Sequence, residues 1–83
     1  MSDFERNLSL INELVALSER MAGAGRASTT VAELSERLRR PLSDVIRVFE
    51  ILGVQPGGWS EPSTYLLSAI IESGTRHEVA RRA

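Results

Sequence analysis

Apolar and polar residues alternate at helical spacing through the first part of the chain. From residue 1 to 22 apolar positions recur every three or four residues, behind an S-x-x-E sequence that is typical of a helix start. Gly23 and Gly25 follow, and glycine commonly ends a helix. The pattern predicts an N-terminal amphipathic helix over residues 1–22. Its apolar stripe is broad enough either to form the centre of the core or to pair with a second copy of the chain.

The centre of the chain, residues 30–53, has the pattern of two short helices joined by a tight turn. It opens with a T-x-x-E capping sequence, and Pro41 disfavours helical angles in the residue before it. Ser43 is placed to cap the second helix and Gly53 to end it, while small Ser35 allows the helices to approach closely. The segment is therefore predicted to be a helix-turn-helix unit. Its expected inward-facing residues are Val31, Leu34, Leu38, Val45, Val48, Phe49 and Leu52.

A turn sequence follows this unit. The letters Q-P-G-G suit a type II turn, and the apolar residues Val54 and Trp59 lie on either side of it. The pattern allows a minimal wing or hairpin at residues 54–60, although strands this short are weakly supported.

Two further helices are expected after the turn. Apolar residues at helical spacing predict a packing helix over residues 60–74, which Gly74 is expected to end. Another T-x-x-E sequence then begins a short basic tail helix over residues 75–83. Residues 1–83 are therefore predicted to form a single all-α domain of four to five short helices around the helix-turn-helix unit.

Composition narrows the classes of protein to which the chain can belong. It has 83 residues, no cysteine and one histidine, His77, so neither a zinc-thiolate site nor a nucleophile–base–orienter set can be assembled. We expect no enzymatic activity, no cofactor and no metal. No apolar run approaches the roughly 20 residues of a membrane span, and no export signal opens the chain. We therefore expect a cytoplasmic protein without a membrane partner.

Charge is balanced overall but clustered locally. The net charge is −1, and all ten basic residues are arginine. Arg37, Arg39 and Arg40 form the densest basic cluster, and Arg47 belongs to the same helix-turn-helix unit. Arginine suits phosphates, guanines and carboxylates because its planar guanidinium donates two parallel hydrogen bonds. Nucleic-acid binding would therefore have to depend on this cluster.

The outer face of the second helix of the unit carries the remaining candidates. Ser43, Asp44, Arg47 and Glu50 are left outside when the apolar residues turn inward. Arg47 suits a guanine and Ser43 a phosphate or a base edge. The two carboxylates would repel phosphates, and a solvated face on which Arg47 pairs with one of them fits the pattern equally well. The residues expected to contact DNA are Arg37, Arg39, Arg40, Ser43, Asp44 and Arg47.

The run T-V-A-E-L-S-E-R-L-R-R-P-L-S-D-V-I-R, residues 30–47, resembles a stretch of many bacterial winged-helix and helix-turn-helix regulators. In those regulators the stretch is T-x-x-E-L-A-x-x-L-G-V-S-x-x-T-V-x-R. Arg39 stands where they have the turn glycine, and Arg40 where they have an apolar residue. Leu42 is therefore expected to fill the core in place of Arg40. The resemblance implies a helix-turn-helix fold and a regulatory role.

A second resemblance covers residues 29–74. The segments T-V-A-E-L, V-I-R-V-F-E-I-L-G-V and T-Y-L-L-S-A-I-I-E-S-G are similar to the small N-terminal domain of bacterial translation initiation factor two. The GTPase that follows in that family is not in this sequence. The resemblance therefore implies only a small helical adaptor domain, with one short strand near Thr29.

Two functions follow as hypotheses. The first is a small DNA-binding transcriptional regulator that acts as a homodimer on double-stranded DNA, with the helix-turn-helix unit in the major groove. Its dimer surface would be the first helix or the helix containing Leu66 to Ile71. The second is a non-enzymatic protein-interaction module, such as a phage-type inhibitor or adaptor that docks on a larger protein or a ribonucleoprotein. The near-neutral charge and the acidic residues of the outer face favour the second.

Overall fold

The computed structural model of the chain describes residues 3–57 and 63–82. Within those ranges the chain is mostly helical, with a small two-stranded antiparallel sheet. The helical content agrees with the predicted α-rich domain, and the two short strands are the part that the all-α prediction lacks. The elements in chain order are α1 (Asp3–Gly23), β1 (Ser28–Thr30), α2 (Val31–Leu38), α3 (Leu42–Leu52), β2 (Thr64–Leu66) and α4 (Leu67–Arg82).

Helix α1 forms the centre of the hydrophobic core. Five residues of its apolar stripe are buried, each no more than 6% exposed, and the helix packs against α4, α3 and α2. Of the two roles expected for this helix, the structure shows the first. These five side chains are covered within one chain, so they are not exposed for contact with a second copy. The buried residues of the stripe are Leu10, Ile11, Leu14, Leu17 and Met21.

Helix α4 is longer than predicted. The sequence places one helix over residues 60–74 and another over residues 75–83, whereas α4 runs without a break from Leu67 to Arg82. Residues 60 to 62 and residue 83 of those predicted helices lie outside the described residues. The separate tail helix is therefore wrong as a prediction, because Gly74 continues the helix instead of ending it.

The physical role of Gly74 is a close approach between two helices. It is buried within α4, and a β-carbon on it would overlap Cγ2 of Val15 on α1. Carbon atoms do not approach so closely without displacement, so only glycine fits there with Val15 in place. The residue predicted to end the helix instead allows α4 to pack on α1.

The short sheet joins the start of α2 to the start of α4. β1 and β2 are antiparallel, with Thr29 opposite Tyr65 at the centre of the register. Thr64 to Leu66 were expected in a helix, but threonine and tyrosine favour strands, and β1 supplies hydrogen-bonding partners. The backbone N–H of Leu67 then donates to the carbonyl of Ala27 as α4 begins. β1 lies where the similarity to the initiation-factor domain implies a strand.

The predicted wing at residues 54–60 is described only as far as Gly57. Residues 54 to 57 contain no strand, and Gly57 donates a hydrogen bond to the carbonyl of Thr64 at 2.7 Å. This bond ties the segment after α3 to the end of β2. Trp59 and the rest of the predicted hairpin lie outside the described residues.

Replacing Gly74 by alanine tests the close approach of α4 to α1. Alanine favours a helix interior by about 1 kcal/mol over glycine, but overpacking costs about 1–3 kcal/mol. We therefore expect Gly74→Ala to lower the free energy of unfolding by up to about 2 kcal/mol, measured by urea denaturation. Removing the opposing γ-carbons with Val15→Ala in the same chain should recover part of that loss.

Gly23→Ala is the matched control, because no atom lies within 4 Å of a β-carbon at that position. It should leave stability unchanged or raise it slightly. If Gly74→Ala proved as stable as Gly23→Ala, or if its effect simply added to that of Val15→Ala, the close approach would not be what requires glycine.

Candidate binding surface

One residue of the turn between α2 and α3, an arginine, has a left-handed backbone conformation. Arg39 follows the last residue of α2 with φ 56° and ψ 42°, and its N–H donates to the carbonyl of Glu36. This conformation costs an L-residue about 1–2 kcal/mol and is the reason that glycine is usual there. Arg39 thus has a backbone conformation that glycine adopts without a steric penalty.

A serine hydroxyl fixes the same turn. Oγ of Ser35 donates to the carbonyl of Arg40 at 2.6 Å, and the N–H of Arg40 donates to the carbonyl of Ser35 at 3.1 Å. The two bonds form a closed pair between α2 and the turn. From the sequence Ser35 was notable only for its small size. Its hydrogen bond was missed because nothing in the pattern shows which carbonyl the turn presents.

Helix α3 begins two residues earlier than the capping pattern predicts. Pro41 occupies the N-cap position, and its carbonyl accepts from the N–H groups of Asp44 and Val45. The prediction that Ser43 caps the helix is wrong, because Ser43 lies inside the first turn and its side chain is exposed. No side chain makes a cap hydrogen bond at this helix start.

Four residues in the first two turns of α3 form one exposed surface. Leu42 and Ile46 lie four residues apart on one row, 47% and 42% exposed, and Ser43 and Arg47 form the row beside them. We call these four residues the α3 face. The prediction that Leu42 fills the core is wrong, because nearly half of its side chain is exposed. The inner side of α3 is filled by Val45, Val48 and Phe49.

The two carboxylates of the helix border the α3 face, because Asp44 precedes Arg47 by three residues and Glu50 follows Ile46 by four. Asp44 is half-buried in the first turn, where the helix dipole favours a negative charge, and Glu50 is exposed one turn beyond Arg47. Among the described side chains, neither is within salt-bridge distance of Arg47. The paired arrangement that the sequence left open is therefore not seen, and Asp44 is not grouped with the other predicted contact residues.

Two arginines of the predicted cluster are engaged in surface ion pairs. Nε of Arg37 donates to Glu33 on the same helix at 3.2 Å, and Nη2 of Arg40 donates to Glu13 of α1 at 3.1 Å. The side chains of both arginines are partly exposed. Arg39 and Arg47 have no carboxylate partner within the described part of the chain. The structure thus brings the four arginines into one helix-turn-helix unit with two of them unpaired.

Glu33 is the centre of a second polar cluster. Two nitrogens of Arg26 donate to its two carboxylate oxygens, one of them at 2.7 Å, and Oγ1 of Thr29 donates at 2.8 Å. The hydrogen bond from Arg26 is the largest cause that lowers the pKa of Glu33 from 4.5 to about 2, and partial burial opposes it. The Thr30 hydroxyl accepts from the Glu33 N–H, as in a capping box. The carboxylate itself fastens the segment before β1 to α2.

A groove of about 390 Å³ lies beside the α3 face. Its wall includes the rings of Phe49 and Tyr65, which meet edge to face with centroids 4.6 Å apart. Ile46 belongs both to this wall and to the α3 face, so the apolar row and the groove are continuous. The other apolar residues of the wall are Val31, Val54 and Pro56.

Comparisons of the chain with protein-family models, with curated proteins and with solved structures give no match. The two resemblances noted in the sequence therefore stay as expectations. No helix in the described ranges combines the length and the apolar character needed to cross a membrane.

Replacing Arg39 by glycine tests whether the turn is strained. We expect Arg39→Gly to raise the free energy of unfolding by about 0.5–1 kcal/mol, because glycine adopts the left-handed conformation without a steric penalty but loses more entropy on folding. Arg39→Ala is the control, since it also removes the guanidinium but keeps the β-carbon. A glycine variant no more stable than the alanine variant would show that φ at this position carries no strain.

Acid denaturation tests the Glu33 cluster. The pKa of Glu33 is lowered to about 2 in the folded chain, so its contribution to stability is present above pH 4.5 and is lost as the pH falls from there towards 2. We expect the melting temperature of Glu33→Gln to be lower than that of the wild type at pH 7 and to fall less between pH 4.5 and 2. Glu36→Gln, three residues further along α2, should keep the full acid sensitivity. Equal acid sensitivity in the wild type and Glu33→Gln would contradict this assignment.

Proposed function

We propose that this chain is a small DNA-binding transcriptional regulator that acts in the cytoplasm and places the α3 face in the major groove of double-stranded DNA. In helix-turn-helix proteins the first turns of the second helix contact the bases. Those turns of α3 expose the guanidinium of Arg47 and the hydroxyl of Ser43 without an exposed carboxylate between them. This arrangement is the observation that carries the proposal, since Arg47 suits guanine and Ser43 suits a base edge or a phosphate.

The turn adds positive charge at the edge of the same surface. Arg39 is exposed and unpaired within the described residues. Arg37 and Arg40 are held only by exposed ion pairs, which contribute about 0–1 kcal/mol each. A DNA phosphate can therefore replace their carboxylate partners with little loss of free energy of folding. Arg37, Arg39 and Arg40 are therefore available for phosphate contacts in this proposal, beside the base contact of Arg47.

The strain at Arg39 supports the same function. A residue kept in an unfavourable conformation indicates that something other than stability favours it, and strained residues cluster at functional sites. Glycine would relieve the strain but remove the guanidinium. We therefore expect Arg39→Gly to be more stable than the wild type yet to bind DNA as weakly as Arg39→Ala.

A homodimer is part of the proposal, because two half-sites give the specificity that one module lacks. Neither element expected to supply the dimer surface is fully available. Five residues of the apolar stripe of α1 are buried, and so are Leu67 and Ile70 of α4. Outside the α3 face, the described residues that expose large apolar side chains are Ile51 and Leu66, and these are where we place the contact between copies.

A protein-interaction module is the second candidate. Ile51 extends the exposed apolar residues of α3 beyond the α3 face, and the groove beside Phe49 and Tyr65 is continuous with Ile46. An apolar helix surface next to a groove also fits docking on a larger protein or a ribonucleoprotein. The net charge of −1 favours this candidate, since dedicated DNA-binding proteins are commonly basic.

Salt-dependent binding to duplex DNA tests the first candidate. Fluorescence anisotropy with a labelled random-sequence duplex, at salt concentrations from 50 to 200 mM, should give affinity that falls as salt rises. The slope is that of the logarithm of the binding constant against the logarithm of the salt concentration. In the double variant Arg39→Ala/Arg47→Ala this slope should become shallower by about 0.9 for each phosphate that the variant no longer neutralises.

Arg6→Ala/Arg76→Ala is the matched control, because it removes the same charge from α1 and α4, outside the helix-turn-helix unit. It should keep the wild-type slope. Equal reductions of the slope in the two double variants would show that only net charge matters. An absence of DNA binding at 50 mM salt would leave the protein-interaction module as the better proposal.

A further inference from the structure

Two of the four residues of the α3 face are large aliphatic side chains, which a purely ionic DNA contact does not explain. Leu42 and Ile46 are each more than two-fifths exposed, and they lie side by side on one row. Isolated exposed leucines are ordinary on protein surfaces. A pair adjacent to Ser43 and Arg47 is a continuous apolar strip inside the surface proposed to face DNA.

The major groove presents one aliphatic group, the C5-methyl of thymine. Resting on the proposed function, we infer that Leu42 and Ile46 recognise thymine methyl groups, so that the preferred DNA site carries thymine opposite this row. The row ends at the exposed carboxylate of Glu50, and the guanidinium groups beside its first two turns favour DNA over an apolar protein surface. Arg47 lies next to it and Arg39 at the adjoining turn, both without a carboxylate partner among the described residues.

The spacing of the row limits the arrangement of the bases. Four residues of helix rise about 6 Å, and successive bases of one strand are separated by about 3.4 Å. Since the groove along which α3 lies is inclined to the DNA axis, Leu42 and Ile46 reach methyl groups about one to two base-pair steps apart. Arg47 follows Ile46 directly, so its guanidinium meets a base pair beside the second thymine, where guanine offers the two acceptors it requires.

Replacing thymine by uracil tests this inference, because the substitution removes only the C5-methyl group. Preferred duplexes are first selected from a random pool with the full chain, and each thymine is then replaced by uracil in turn. We expect uracil at the contacted positions to weaken binding about threefold to fourfold per methyl group, the fold-change for one buried methyl-sized group. Uracil at other positions should have no effect.

Protein variants identify the side chain behind each methyl contact. For each of the variants Leu42→Ala and Ile46→Ala, we expect one thymine position at which uracil no longer weakens binding. The side chain that contacts the methyl group at that position has been removed. Asn12→Ala, which changes an exposed side chain of α1 outside the helix-turn-helix unit, should keep full discrimination. Both substituted side chains of the row are exposed, so the variants should fold, which a thermal melt verifies.

The outcomes separate this inference from the proposed function. Salt-dependent DNA binding without thymine discrimination, or with discrimination that survives in both alanine variants, overturns the inference and leaves the proposed function standing. A lack of DNA binding at every salt concentration overturns both. If Leu42→Ala or Ile46→Ala instead lowers the oligomeric state in sedimentation, the row is a contact between copies of the chain and the inference is overturned.

Discussion

The paired hydrogen bonds between Ser35 and Arg40 hold α2 and α3 in one fixed relation, and the surface described above depends on that relation. The turn has three residues, one of them in a left-handed conformation and one a proline, so few alternative paths connect the two helices. Because the turn is constrained, the orientation of α3 is set before any ligand arrives. Preorganisation of this kind reduces the entropy lost on binding.

The other elements of the fold pack against the buried side of the helix-turn-helix unit. α1 lies against both α3 and α4, and the close packing of Val15 on Gly74 brings α4 onto it. The Arg26–Glu33 ion pair ties the segment before β1 to α2, and β2 joins that segment to α4. Contacts from several elements thus bury the inner side of α3, while the outer side of its first two turns is exposed.

The helical part of the fold was predictable because periodicity is a local property of the chain. The extents of α1 and α2, the end of α3 at Gly53, the turn before Pro41 and the position of the usual turn glycine at Arg39 all follow from nearby residues. The role of Gly74 was not predictable, since a glycine that ends a helix and one that admits a neighbour look alike until Val15 is known to face it. The strand at Thr64 to Leu66 likewise depends on β1, which is distant in sequence.

For the candidate surface, the sequence identified the arginines but not their partners. Ion pairing depends on distances in three dimensions, which the sequence does not show. Arg37 pairs with Glu33 and Arg40 with Glu13, while Arg39 and Arg47 are separated from the described carboxylates. The exposure of Leu42 was missed for a related reason. It depends on where α3 begins, and Pro41 moved that start by two residues from the position that the capping pattern indicates.

The clean division of α3 into a buried side and an open side has a consequence for how such a domain can diversify. Val45, Val48 and Phe49 carry the structural role, whereas the four residues of the α3 face make no contribution to the hydrophobic core. New combinations at those four positions can therefore accumulate without loss of folding. Ligand preference could drift in evolution, or be redesigned in the laboratory, on an unchanged scaffold.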